Sequence, residues 1–193
     1  TTATSSDTTQ TETISFQRPS YWNSKVYAYV YDLKTKQAVT SSWPGDEMTE
    51  NSDGSYTITL DKSKDNGDLA VIFTDGSNQT PATQQSGYSF VAGSQYSIVG
   101  NLDSYIVFQK PNNWNSNVYA YVYDASTGKA VTSSWPGNQM TAIASNLYVY
   151  QTTSTSSNLK VLFSDGSGNQ TPGVSSAGDV YQAGAVYDQN GKE

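Results

Sequence analysis

The chain contains no cysteine and no histidine. Without cysteine there is no disulfide, no thiolate metal site and no thiol nucleophile. Without histidine the commonest general base and the commonest zinc ligand are both missing. Charge is scarce as well. Only 14% of the 193 residues are Asp, Glu, Lys or Arg, and the balance is acidic at -7. Nucleic acids and anionic membrane surfaces are both held through Lys and Arg, so neither is an expected partner. No apolar run reaches the ~18 residues that cross a bilayer. No window carries a convincing period of 3.6, which argues against helices.

What is plentiful is aromatic: 15 Tyr, 4 Trp and 5 Phe. The rest of the surface is supplied by Ser, Thr, Asn, Gln and Gly. A neutral polar surface studded with rings suits hydroxyl-rich ligands and does not suit phosphate.

The seven residues Val-Tyr-Ala-Tyr-Val-Tyr-Asp occur at 26–32 and again at 118–124. Trp22 returns as Trp114, Trp43 as Trp135 and Met48 as Met140, each 92 positions on. Phe73 then matches Phe163, and Pro81 matches Pro172, at slightly shorter offsets, so the length changes fall in loops. This period is too long for a solenoid and right for a complete small domain. The expected organisation is a Ser/Thr-rich linker at 1–13, which has no apolar signal-peptide core and would join the modules to something larger. Module one then spans 14–101 and module two 102–193.

Within module one, strands are expected at Thr13–Gln17, Lys25–Asp32, Ala38–Ser41, Ser55–Leu60, Leu69–Thr74, Tyr88–Val91 and Gln95–Val99. Module two repeats them at Ser104–Gln109, Asn117–Asp124, Asn146–Gln151, Leu159–Ser164, Val180–Gln182 and Ala185–Tyr187. Short strands every 8–15 residues, separated by Gly, Asn, Pro and Ser turns, predict an all-β chain. Its fold class is two tandem antiparallel β-sandwich modules of immunoglobulin-like type. In the repeated strand a period of two puts Tyr27, Tyr29 and Tyr31 on one face and Val26, Ala28 and Val30 on the other.

Only two acids clearly hold their place in both copies, Asp32/Asp124 and Asp75/Asp165. Both have ordinary turn explanations. Asp46 and Glu47 become Asn138 and Gln139, so the Trp-Pro-Gly loop needs no carboxylate. No catalytic residue is expected. Asp75-Gly76-Ser77-Asn78 lacks the spacing and the distal Glu of a calcium loop, so no metal and no cofactor are expected.

That leaves the rings. An aromatic ring covers the apolar face of a sugar, while amides and phenol hydroxyls take its edge. Two rings set at an angle follow a curved helical glucan better than a flat chain. Pro44 restricts Trp43 to extended backbone, and Gly45 permits a left-handed kink behind it. Trp43 and Trp135 are therefore read as the second ring orientation beside Tyr27, Tyr29, Tyr119 and Tyr121. The alternative for each Trp is a cap on the sandwich core. Tyr31/Tyr123 and Trp22/Trp114 are read as packing residues. Gln79 and Gln170, in Asn-Gln-Thr-Pro, are read as the neutral polar groups at the sugar edge. The alternative there is a loop amide that satisfies its own backbone.

The ordered set Trp-Asn-Ser-x-Val-Tyr-Ala-Tyr-Val-Tyr-Asp, Ser-Trp-Pro-Gly-x-x-Met and Val-[Ile/Leu]-Phe-x-Asp-Gly-Ser-(x)-Asn-Gln-Thr-Pro, present twice, resembles carbohydrate-binding module family 26. The resemblance covers nearly the whole chain after the linker. It implies starch-binding β-sandwiches, often in tandem, attached to secreted bacterial amylases. It implies a ligand surface of Tyr27, Tyr29 and Trp43 in module one and Tyr119, Tyr121 and Trp135 in module two, with a polar loop residue near Gln79 and Gln170. The expectation is a non-catalytic, monomeric tandem that binds α-1,4-glucan (starch, glycogen, maltooligosaccharides). It would be extracellular and bacterial, and would hold a covalently attached amylase or cell-surface scaffold on starch. Two rival readings stand beside it: an immunoglobulin-like stalk or adhesin repeat without glycan binding, and a glycosidase.

Overall fold

A computed structural model of the chain describes residues 10–193. Most of the expected linker, residues 1–9, lies outside the described residues. Its last part is corrected: Thr11–Gln17 is a strand. Thr11 stands opposite Asp61, Glu12 opposite Leu60 and Thr13 opposite Thr59. The partner strand Ser55–Asp61 is seven residues long, so its edge hydrogen-bonds the chain two residues earlier than the side-chain pattern suggests.

The chain divides into two compact units, one ending at Asn101 and the other spanning Leu102–Glu193. Each is a pair of sheets. In the first unit, one sheet runs in the order Gly100–Asn101, Gln95–Ser97, Thr11–Gln17, Ser55–Asp61, Thr49–Glu50. The other runs Asp46–Glu47, Tyr27–Asp32, Leu69–Thr74, Gln79–Thr80, with Tyr88–Ser89 also paired to Leu69–Thr74. The second unit repeats both orders around Ile106–Gln109 and around the pair Tyr119–Asp124 and Leu159–Ser164. Among the described residues the one helical element is a single 3-10 turn at Lys62–Lys64.

The two modules depart from pure antiparallel pairing at one place each. Thr11–Gln17 runs parallel to Gln95–Ser97, and Ile106–Gln109 runs parallel to Val186–Asp188. The three-residue strand Gln95–Ser97, like Val186–Asp188, reaches its sheet by crossing over from the other one, so it arrives in the direction of the first strand, which no hairpin could achieve. The strand expected at Ala38–Ser41 reduces to one bridge between Tyr31 and Ala38. Val39 N donates to the Val30 carbonyl and Val30 N to Thr40 Oγ1. The hydroxyl thus takes the place of the next backbone acceptor, and the chain bends away.

The core lies between the sheets. Phe16 on one sheet stacks on Phe73 of the other, with centroids 4.4 Å apart, and Phe108 on Phe163 does the same at 4.2 Å. Val26, Ala28 and Val30 are fully buried against this stack, as are Val118, Ala120 and Val122. Trp22 and Trp114 pack on the same phenylalanines at 5.3 Å and are buried.

The Asp75 and Asp165 turns join the sheet to the segment that carries those tryptophans. Asp75 Oδ1 accepts from Ser77 N at 2.8 Å and Asn78 N at 2.6 Å. Its Oδ2 accepts from Asn23 N at 2.7 Å and Asn78 Nδ2 at 2.9 Å. Asp165 binds Ser167 N, Asn169 N, Asn115 N and Asn169 Nδ2 in the same way. Burial works to raise both carboxyls, but these donors outweigh it and hold each at about 2, below the ordinary 3.8. A depressed carboxyl stabilises the fold above its ordinary value and loses that contribution as pH falls through its folded value. The protein is therefore expected to lose stability between about pH 4 and pH 2, measured as the urea midpoint against pH. Asp75→Asn with Asp165→Asn should be less stable at pH 7 and show a flatter acid limb.

Candidate functional site

Because the aliphatic side of the tyrosine strand faces the core, its phenols face outward. The register lays out this outer face in rows. Glu47, Tyr27, Thr74 and Gln79 stand side by side across four strands, as do Gln139, Tyr119, Ser164 and Gln170. Strand spacing puts Gln79 about 10 Å from Tyr27 along that row. The next rows pair Tyr29 with Ile72 and Tyr31 with Ala70, and in module two Tyr121 with Leu162 and Tyr123 with Lys160.

The Trp-Pro-Gly turn approaches this face from the edge. Gly45 N donates to the Ser42 carbonyl at 2.9 Å, and Ser41 N donates to Asp46 Oδ1 at 3.0 Å. In module two Asn138 Oδ1 accepts from Ser133 N at the same 3.0 Å. The acid and the amide do one job here, accepting a backbone N–H, which explains why they exchange freely between copies. Gly45 adopts φ +98, and a Cβ on it would stand 2.2 Å from the Ala28 carbonyl oxygen and 2.8 Å from Tyr29 Cα. Gly137 is pressed on Ala120 and Tyr121 in the same way. Backbone therefore touches backbone, and the turn sets its Trp beside the central tyrosine. The Trp43–Pro44 and Trp135–Pro136 peptides are cis.

The result is a ring pair at an angle. Trp43 meets Tyr29 with centroids 5.6 Å apart and planes at 63°; Trp135 meets Tyr121 at 5.6 Å and 61°. Both tryptophans are half exposed, at 50% and 48%, so neither caps the core. Tyr29 also contacts Tyr31 at 5.7 Å, and Tyr121 contacts Tyr123 at 6.1 Å. The third tyrosine backs the second: Tyr31 Oη accepts from Gly87 N, and Tyr123 Oη from Gly178 N. The ring series thus runs Trp43, Tyr29, Tyr31. Tyr27 and Tyr119 share the face and flank this series, and Tyr119 lies against the Asp-Gly turn, where a Cβ on Gly166 would come within 3.1 Å of its ring. The alternation of the strand puts Tyr27 and Tyr29 on one face, but the ring that meets the Trp depends on where the turn lands, and that ring is Tyr29, with Tyr121 in module two.

Gln79 Nε2 donates to the Pro81 carbonyl at 2.9 Å, and Gln170 Nε2 to that of Pro172 at 3.0 Å. This fixes the amide on its own loop. A Gln has a second N–H and an acceptor oxygen, so capacity remains for a hydroxyl.

The two acids common to both copies make no pair. Asp32 stands opposite Leu69, at the far end of the strand pair from Tyr27 and Thr74, and Asp75 follows Thr74. At ~3.3 Å per residue the separation is roughly 17–20 Å, beyond the ~5–9.5 Å of glycosidase carboxylates. Asp32 is occupied by Lys34 N, Thr35 N and Asn66 Nδ2, which lower its pKa, the Thr35 bond most. Among the described residues no group of three or more acids gathers to hold a metal ion.

The family model for starch-binding module 26 matches residues 14–85 and 106–176. A structure of CBMbc, family CBM26, from Eubacterium rectale Amy13K in complex with maltoheptaose is similar at 22% identity. That match covers 95% of this chain and 93% of that one, with a TM-score of 0.34. A CBM26 structure from Bacillus halodurans amylase in complex with maltose is similar at 26% identity. It covers 44% of this chain and 89% of that one, with a TM-score of 0.38.

Gly45→Ala tests how the turn is seated. It adds both left-handed strain and a backbone clash, whereas Gly54→Ala, at φ +85 with nothing within 4 Å, adds strain alone. The control should cost ~1–2 kcal/mol, and Gly45→Ala should cost a further ~1–3 kcal/mol of overpacking. Chemical denaturation followed by tryptophan fluorescence measures both.

Proposed function

The chain belongs to the starch-binding module 26 family, and we propose that its two Trp–Tyr ring pairs are the surfaces on which it holds α-glucan. The observation that carries this reading is the half-exposed Trp set at about 60° to a tyrosine, built twice with the same geometry. One ring covers the apolar face of one glucose, and the tilted second ring meets the next as the helical chain turns. In module one Trp43, Tyr29 and Tyr27 form the platform, Tyr31 supports it, and Gln79 supplies hydrogen bonds at the edge. In module two the corresponding residues are Trp135, Tyr121, Tyr119, Tyr123 and Gln170.

The module pair is read as non-catalytic. The wide separation of Asp32 and Asp75, and the replacement of Asp46 and Glu47 by amides in the second copy, support that reading. Its work would be to keep an attached amylase or cell-surface scaffold on the polymer, outside a bacterial cell. Maltoheptaose and maltose, bound by the two similar proteins, are the ligand class expected at each site. A stalk or adhesin without glycan binding leaves the twin half-exposed tryptophans without a role.

Each shallow site is expected to bind weakly, and two linked sites that engage one polymer gain about 10²–10⁴ in avidity. In a pull-down on insoluble starch, Trp43→Ala or Trp135→Ala alone should lose most of that gain. The double variant should lose retention altogether. Full retention by the double variant would remove the site assignment, and turnover of soluble starch by the intact chain would remove the non-catalytic one.

A further inference from the structure

Residues 170–192 repeat residues 79–101 at a constant offset of 91, without a gap. One replacement within this stretch changes volume sharply: Tyr88 of module one is Asp179 of module two. Both occupy the same place in the fold, a short strand beside the strand that carries Leu69–Thr74 or Leu159–Ser164. Tyr88 stands opposite Val71, and Asp179 opposite Val161. Those valines are core residues, so both side chains lean toward the inner edge of the sandwich, away from the ring face.

In module one the phenol fills that edge. Its ring lies against Gly100, where a Cβ would stand 3.0 Å from Tyr88 Cε1. Its hydroxyl bonds Thr80 Oγ1 and donates to the Ile98 carbonyl at 3.4 Å, and Thr80 Oγ1 reaches the same carbonyl at 3.3 Å. Module two keeps the two partners, with Thr171 Oγ1 donating to the Gln189 carbonyl at 3.0 Å. Where the ring stood, it has a cavity of about 180 Å³ lined by Thr171, Pro172, Asp179, Gln189, Asn190 and Gly191. Asp179 Oδ2 is buried and accepts no hydrogen bond. Burial pushes this carboxyl up, and the charge of Lys160 pulls it part of the way back.

Three acceptors belong to its wall: the unpartnered Asp179 carboxylate oxygen, Thr171 Oγ1 and the Gln189 carbonyl. A carboxylate C–O bond of ~1.2 Å followed by a charge-assisted N–H···O bond of ~2.8 Å reaches ~4 Å from Asp179 Cγ. That is about as far as a phenol oxygen stands from its own Cγ. A donor held by Asp179 therefore occupies the position of the Tyr88 hydroxyl, beside Thr171 and Gln189. An ammonium has three donors and no acceptor, which matches three acceptors. Calcium wants 6–8 oxygen ligands, more than this wall supplies. A cavity of ~150 Å³ holds one benzene ring, so there is room for a small body behind the charge. We propose that this pocket is a binding site for a small primary amine no larger than one six-membered ring, its ammonium held by the Asp179 carboxylate, Thr171 Oγ1 and the Gln189 carbonyl. The site lies off the ring face and is independent of glucan binding.

An NMR titration of the ¹⁵N-labelled chain with methylammonium and with glucosamine, against potassium chloride at equal ionic strength and against glucose, tests this. Both amines should give saturable shifts at the amides of Thr171, Asp179 and Gly191, and neither reference should. Asp179→Asn should weaken the response by about tenfold or more. Asp179→Tyr, which restores the module-one arrangement, should abolish it while insoluble starch is still retained. No saturable shift, an equal response to potassium or glucose, or an amine response that survives in Asp179→Tyr would overturn the proposal.

Discussion

The stack of Phe16 on Phe73, matched by Phe108 on Phe163, is the contact on which each module depends. It joins one sheet to the other at the centre of the sandwich. Around it close Trp22, Tyr96 and the aliphatic side of the tyrosine strand in module one, and their counterparts in module two. Apolar burial of this kind fixes register, because a slip of one residue would turn every side chain to the wrong face. Val26, Ala28 and Val30 are committed inward, so Tyr27, Tyr29 and Tyr31 must face out. The ring face is thus a consequence of the core.

The second constraint is a close approach of backbone to backbone. The Trp-Pro-Gly turn sits directly on the strand at Ala28 and Ala120, and only a residue without a Cβ fits there. The ties around it use oxygens and no ion pair: a hydroxyl in place of a ladder acceptor, and a side-chain oxygen that takes a serine N–H. Asp46 and Asn138 serve equally because the geometry uses an oxygen and has no use for the charge. A protein with so few charges and no histidine can hold its site rigidly in this way. It can present to a sugar the two things a sugar needs, ring faces and amides.

The duplication also supplies an internal comparison. Where both copies agree, in the Phe stack, the Trp turn and the Asp75/Asp165 loop, the shared feature is geometric and repeated to within fractions of an ångström. Where they differ, the fold absorbs the change locally. Ala70 becomes Lys160 beside the third tyrosine, and Tyr88 becomes Asp179 at the sandwich edge. The second change opens a cavity and leaves a carboxylate oxygen unpartnered, so the two modules are not copies in what they can bind.

The repeat, the all-β class and the two-faced strand were legible in the residues, because alternation and duplication are properties of the chain taken locally. Leu69–Thr74 and Leu159–Ser164 were bounded to the residue for the same reason: each is a short apolar run with a turn signal at its end. The burial of Trp22 and the exposure of Trp43 are another matter. Both are tryptophans near turns, and only the packed sheets decide that one meets Phe16 while the other meets Tyr29 and solvent. The parallel pairing of Gln95–Ser97 and Val186–Asp188, the early start at Thr11 and the short extra strands at the edges follow from which backbones come to lie side by side. The grouping of Tyr29 with Tyr31 and Trp43 has the same origin. It comes from the angle at which a turn held by Gly45 lands on the sheet, a contact between residues distant in sequence that no local pattern encodes.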